Sequence, residues 1–171
     1  MANADTINNY LAVLTVGNAN YQNTAFLMQN VFCPEGGVGP NEVPSVAVTE
    51  HGIGVGPAFY GVRKVRKLYN RLFSAFPDVQ MLALNAPPLL LASQDGNTIA
   101  VQTTLTGTHQ DWWFAKADGD KFYSKPLSDI PPNAGVISIP ACAVFTFNAQ
   151  HLVTNLAIYM DRFHFIAQLA P

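Results

Sequence analysis

Between Gly61 and Phe76 the apolar residues Val62, Val65, Leu68, Tyr69, Leu72, Phe73 and Phe76 recur at steps of three and four, the spacing of one face of an α-helix. Arg63, Lys64, Arg66, Lys67 and Arg71 fill the other side, so the pattern predicts an amphipathic helix with a buried stripe and a solvated basic face. Pro77 stops it, because proline lacks an N–H donor and disfavours helical geometry at the residue before it. Beyond Pro77 the period falls to two. Val79 to Leu84, Leu89 to Ser93, Thr98 to Thr108, Gly135 to Phe147 and Leu152 to Met160 read as strands. Asp95-Gly96 is a two-residue hairpin signal, and Asn148-Ala149-Gln150 joins the last two strands. A polar excursion from Lys116 to Lys125 turns at Asp118-Gly119-Asp120, and a short helix from Asp161 to Leu169 closes the chain.

Ahead of the central helix, Asp5 or Thr6 can cap a first helix that runs to about Thr15 with Ile7, Tyr10, Leu11 and Leu14 on one face. A second helix from Tyr21 to Val31 turns Ala25, Leu27, Met28 and Val31 inward. Residues 34 to 57 hold six glycines and four prolines, which argues for a long irregular connection, with Val46-Ala47-Val48 as a short strand inside it. Helices first and antiparallel strands afterwards predict an α+β layer arrangement, and 171 residues fit one domain over 1–171.

Charged residues are only 12% of the chain, against the usual ~25%, so a monomer has little charge with which to cover its surface. A homodimer interface or a large apolar cavity would account for that. The single basic cluster lies on a helix face without a phosphate-binding loop, and the net charge is -2, which argues against nucleic-acid binding. No run approaches the ~18 apolar residues of a membrane span, and the first residues lack a cationic start and apolar core, so the reading is a soluble, cytoplasmic protein. Cys33 and Cys142 have no metal spacing and read as free thiols, and His51, His109, His151 and His164 lack the close spacings of a zinc site, so no metal is expected.

Several stretches resemble one known family. Gly56-Pro57 precedes a helix ending Leu72-Phe73-Ser74-Ala75-Phe76-Pro77-Asp78; Thr106-Gly107-Thr108-His109 ends a strand; Ile130-Pro131-Pro132-Asn133 forms a turn; and Tyr159-Met160-Asp161 leads to Gln168-Leu169-Ala170. In order and spacing, over roughly residues 50 to 170, they resemble the SnoaL-like polyketide cyclases of the nuclear transport factor 2-like superfamily. The resemblance implies a cone: a curved, mixed and largely antiparallel sheet wrapped around the N-terminal helices, closed by a short C-terminal helix, with a pocket in the concavity. It also implies dimerisation through the sheets and a cofactor-free cyclisation of a hydrophobic, cyclic small molecule by an acidic residue on the last strand.

At that acidic position, three residues before Asp161, this chain has Ile158, and the polar partners on the neighbouring strand fall on Cys142 and Val144. An isoleucine cannot move a proton. Period-two alternation then places Leu152, Thr154, Leu156, Ile158 and Met160 on one wall with Cys142, Val144 and Thr146 facing them, a wall suited to a greasy ligand. His109 is the remaining acid-base candidate, with Asp111 on its side of an extended strand, although a histidine at a strand end also serves simply to bond backbone. Tyr69, on the inward stripe, can offer its hydroxyl to a ligand carbonyl or sit in the core. Leu72 and Phe73 complete the pocket on the helix side, and Trp112 with Trp113 and Phe114 forms an aromatic lip or an interface. Asp161 either caps the last helix or pairs with His164. Two functions stand: a cofactor-free cyclase or isomerase using His109, Asp111 and Tyr69, and a non-catalytic small-molecule-binding protein on the same fold.

Overall fold

A computed structural model describes residues 2–15, 21–33, 47–51, 59–85, 88–111 and 132–169. In chain order the elements are α1 (Asn3–Val13), α2 (Tyr21–Asn30), β1 (Ala47–His51), β2 (Phe59–Tyr60), α3 (Val62–Ala75), β3 (Gln80–Ala83), β4 (Leu90–Ala92), β5 (Thr98–Thr108), β6 (Val136–Phe147), β7 (Val153–Met160) and α4 (Arg162–Leu169). The expected α+β class is the observed one. The strands form one sheet in the order β2-β1-β7-β6-β5-β3, with β4 also paired to β5. β1 and β7 run parallel and the other pairs antiparallel, so the sheet is mixed.

The helix α3 is what its stripe predicts: Val65, Leu68, Tyr69 and Phe73 are buried, while Arg63, Lys64, Arg66 and Lys67 are exposed. Fully burying each such side chain contributes about 1.5–3 kcal/mol, far more than helix propensity does. In α1, Ile7, Tyr10, Leu11 and Leu14 are buried as expected, but the helix begins earlier than expected, with Ala2 as N-cap. Asp5 still acts there by accepting the Ala2 N–H at 2.9 Å, whereas Thr6 is buried and donates to the His151 carbonyl at 2.7 Å. In α2 the inward residue is Thr24 and Ala25 is exposed, which corrects the expected face; Leu27, Met28 and Val31 are buried. Asp95-Gly96 turns the chain, but inside a longer loop closed by Ser93 N–H to the Thr98 carbonyl at 2.8 Å, not in a two-residue hairpin.

Which face of the sheet meets the helices is decided by β6. Ile137, Ile139, Ala141, Ala143, Phe145 and Phe147 are buried, and the register sets Leu105, Val101 and Ile99 of β5 and Met160, Ile158 and Leu156 of β7 beside them. Cys142, Val144 and Thr146 pair instead with Tyr159, Ala157 and Asn155, on the opposite face. The expected wall is therefore half right: Leu156, Ile158 and Met160 face the helices, Cys142 and Val144 do not. A register shift between Thr146 and Phe147 then makes Val153 the inward residue in place of Thr154. The inward row of β6 is all Ile, Ala and Phe, whereas the row of Cys142 and Val144 also carries Ser138 and Thr146, so burial selects the more apolar row.

No helix among the described residues is long and apolar enough to cross a membrane.

Candidate functional site

Two of the stretches that carry the family resemblance lock together. Gly107 on β5 lies so close under Phe76 and Val79 that a Cβ there would sit 3.3 Å from the Phe76 Cβ and from the Val79 Cα. Next to it, Thr108 donates its N–H to Asp78 Oδ1 at 2.7 Å and its hydroxyl to Asp78 Oδ2 at 2.6 Å. Burial raises the Asp78 carboxyl, but the two Thr108 hydrogen bonds outweigh it and hold the group below the usual aspartate range. The His109 ring stacks on Phe76 with centroids 5.2 Å apart. Gln110 N–H then reaches the Ala75 carbonyl at 2.8 Å, satisfying the C-terminal end of α3.

His109 itself is fully buried. Its backbone continues the β5–β6 ladder, with His109 N–H to the Gly135 carbonyl at 2.9 Å and Ala134 N–H to the His109 carbonyl at 3.0 Å. Its Nδ1 faces Asn133 Oδ1 at 3.4 Å. Asn133 donates through Nδ2 to the Leu169 carbonyl at 2.5 Å and accepts the Gly135 N–H on Oδ1 at 2.9 Å, so Oδ1 is an acceptor toward the imidazole as well. A contact with that oxygen is made by an Nδ1 that carries the ring proton, and Nε2 is buried. Burial pushes the His109 pKa below the ordinary histidine range, against the opposing Asn133 bond, a hydrogen bond to the Asp111 backbone and the Asp111 charge, so the ring is neutral at neutral pH.

Asp111 acts on His109 through its backbone and its charge. Its Oδ2 accepts the Ser74 hydroxyl at 2.6 Å on the exposed side of α3's last turn. The segment leaves β5 at Thr108, so the alternation that would set Asp111 beside His109 no longer applies.

A cavity of about 20 Å³ lies between the helices and the sheet, lined by Tyr10, Leu14, Leu68, Tyr69, Leu72, Phe76, Met81, Leu105, Ile137, Ile158, Met160 and Phe165. Its polar groups are the hydroxyls of Tyr10 and Tyr69, which hydrogen-bond to each other at 2.9 Å. Of the expected pocket residues, Tyr69, Leu72 and Ile158 line this cavity. Phe73 and Leu156 are buried behind it, Phe73 with its ring 5.9 Å from that of Tyr69. His109 does not line the cavity; Phe76, on which its ring stacks, does. Trp112 lies outside the described residues.

Cys142 instead lines a shallow groove of about 590 Å³ with Leu84, Gln102, Pro140, Tyr159 and Asp161. Leu82, Leu84, Leu91 and Tyr159 are exposed on the strands around it.

Sequence reasoning missed three residues. Tyr10 reads only as one member of an apolar stripe, and nothing local shows that its hydroxyl meets Tyr69. Asn133 reads as part of a turn, but it ties His109 to the end of α4. Glu50 lies in a glycine-rich stretch, and only the parallel β1–β7 pairing sets it at the register position of Ile158. Asp161 accepts the His164 N–H at 3.1 Å, as a cap of α4 does, and Gln168 brackets Ser138 of β6, accepting its N–H at 2.7 Å and donating to its carbonyl at 3.1 Å. Among the described residues no three His, Cys, Asp or Glu side chains are grouped as a metal site.

No protein-family model matches the sequence, and no curated protein matches it either. Solved structures do match. One from Jannaschia sp. CCS1, provisionally described as a SnoaL-like polyketide cyclase, superposes with a TM-score of 0.67 at 16% identity, covering 99% of this chain and 92% of that one. Another, from Xanthomonas campestris pv. campestris and provisionally described as a polyketide cyclase, gives 0.65 at 13% identity over 98% and 96% of the two chains. A phenazine biosynthesis-related protein from Pseudomonas aeruginosa gives 0.65 at 13% identity over 99% and 83%. This chain therefore has the fold of the SnoaL-like polyketide cyclases, the nuclear transport factor 2-like fold that its motifs predict.

Proposed function

We propose that this chain is one domain that takes up a hydrophobic, cyclic small molecule between its helices and its sheet. The observation that carries this reading is the enclosed apolar cavity whose polar groups are two tyrosine hydroxyls. Free space of about 20 Å³ holds about one water, so a ligand must displace side chains to enter. Leu72 and Met160, the half-buried members of the lining, are those with somewhere to go. Neutral, apolar ligands fit, because burying a charge here without a partner is costly.

A second reading, a cofactor-free cyclase or isomerase, is favoured by two observations. The His109 ring stacks on the cavity residue Phe76, and Glu50 holds the register position beside the cavity residue Ile158. Asp111 bears on that ring through its charge while its Oδ2 accepts the Ser74 hydroxyl. We propose that the outward sheet face around Leu82, Leu84, Leu91 and Tyr159 meets a second copy of the chain. The outward-facing positions of β3, β5 and β6 carry no charged residue, which suits a self-complementary contact.

Native mass spectrometry of protein purified from its own source tests all three. A dimer with a small molecule that is lost on denaturation supports the binding reading and identifies the compound. Turnover of that compound, lowered ~100-fold or more in His109→Ala or Glu50→Gln, supports the enzyme reading. Binding without turnover leaves the binding protein, and a strict monomer removes the sheet-to-sheet contact.

A further inference from the structure

We infer that α4 is the lid of the cavity between the helices and the sheet, swinging from Asp161 to open the wall at Phe165. The inference rests on the proposed ligand cavity and names its way in. Most of the wall is tied to its neighbours through backbone. The lining residues Met81, Leu105, Ile137 and Ile158 sit on strands of one hydrogen-bonded sheet. The Leu14 carbonyl at the end of α1 accepts the Met81 N–H at 2.9 Å, and the Ala75 carbonyl at the end of α3 accepts the Gln110 N–H at 2.8 Å. The helix α4 differs: it packs chiefly on β6 and gives the wall one side chain, Phe165.

Side-chain amides latch α4 down. Pairing of β6 with β7 runs from Ala141 to Phe147, so residues 136–140 have no strand on that side among the described residues. Within that open stretch Ser138 donates its N–H to Gln168 Oε1 at 2.7 Å, and its carbonyl accepts from Gln168 Nε2 at 3.1 Å, so one amide stands where a neighbouring strand would. Asn133 Nδ2 adds a bond to the Leu169 carbonyl at 2.5 Å. Both Gln168 bonds are exposed, so water replaces them at small cost when α4 lifts. Phe165 and Leu169, both buried, draw the helix back. The pivot falls at Asp161, an exposed residue between β7 and α4, and hinges sit at such element ends. Met160, the half-buried lining residue, precedes it directly.

The test measures how fast 4-fluorotoluene, a neutral apolar probe, exchanges with wild type, Gln168→Ala and Gly135→Ala, read from ¹⁹F NMR line shapes. Gln168→Ala cuts the bracket to Ser138. Gly135→Ala wedges the helix instead, because the added carbon lands 3.0 Å from the Gln168 carbonyl oxygen and 2.9 Å from Asn133 Oδ1. Neither residue lines the cavity. The expected result is that association and dissociation both quicken roughly tenfold, the scale of one or two exposed hydrogen bonds, while Kd changes by less than about twofold. Amide exchange across Arg162–Leu169 quickens with them and that of β5 does not, the pattern of one element lifting alone. Exchange of the probe that stays at the wild-type rate in both variants overturns the lid while the ligand cavity stands, and so does a quickening of amide exchange shared equally by β5. No saturable binding of 4-fluorotoluene to wild type overturns the cavity and the lid together.

Discussion

Replacing Gly107 by alanine tests whether the clasp between β5 and the 76–79 segment holds the site together. In a strand, alanine for glycine should help by about 0.5–1 kcal/mol, because the unfolded chain loses less entropy on folding. Here the added carbon lands 3.3 Å from the Phe76 Cβ, 3.3 Å from the Val79 Cα and 3.4 Å from the Phe76 Cδ1. The optimum for carbon pairs is about 3.5–4.0 Å, so the two 3.3 Å contacts are compressed and the third is at the edge of ordinary contact. Two of those atoms are a Cα and a Cβ, which no rotamer change can move. Relief requires shifting the 76–79 backbone, and Asp78 in that segment is pinned to Thr108 by two hydrogen bonds of 2.7 and 2.6 Å. Overpacking of this kind costs about 1–3 kcal/mol, which exceeds the entropic gain. Gly107→Ala is therefore expected to lose about 1–2 kcal/mol and to melt roughly 3–6 °C lower, as read by urea and thermal unfolding with fluorescence and circular dichroism together. Phe76→Ala in the same chain should rescue little, since its Cβ remains. Gly96→Ala is the control: it has no atom within 4 Å and suffers only the strain of its φ of +70°. A Gly107→Ala protein as stable as wild type would refute the argument.

Three further outcomes follow from the same geometry. His109 is held below the ordinary histidine range by burial, so the unfolded chain takes up a proton before the folded one does. Its contribution to stability is thus intact above about pH 6.5 and is lost as the pH falls from there toward its folded value; a ring resonance of His109 that titrates in NMR like a free histidine would contradict this. Asp161→Ala removes the cap of α4 and should cost about 0.5–2 kcal/mol in urea unfolding, with Asp161→Asn or Asp161→Ser recovering most of it. Gln168→Ala unties α4 from Ser138, and faster amide exchange across Arg162–Leu169 with little change at β5 is the expected pattern; uniform exchange would mean the bracket contributes nothing.

The central helix was legible because its information is local. Seven apolar residues at helical spacing decide a buried face whatever lies opposite, and Pro77 ends it by its own covalent structure. The extents of β5 and β7 were legible for the same reason, as was the cap at Asp161. What local pattern left open was one segment's phase relative to another. Cys142 and Val144 were set beside Ile158 by counting positions along the resembling family's motifs, and the hydrogen-bond register pairs Ala143 with Ile158 instead. Asp111 was set beside His109 by strand alternation, and its charge does act on that ring, but through a backbone that turns to bond Ala75. Tyr10 and Tyr69 lie 59 residues apart, and no periodicity connects two hydroxyls on different helices. The sequence by itself determined the elements, their order and the fold they resemble, since propensity and alternation act over a few residues. Tertiary structure decided the pairing, the inward row and the tyrosine pair, because these depend on contacts between segments whose relative register no local pattern contains.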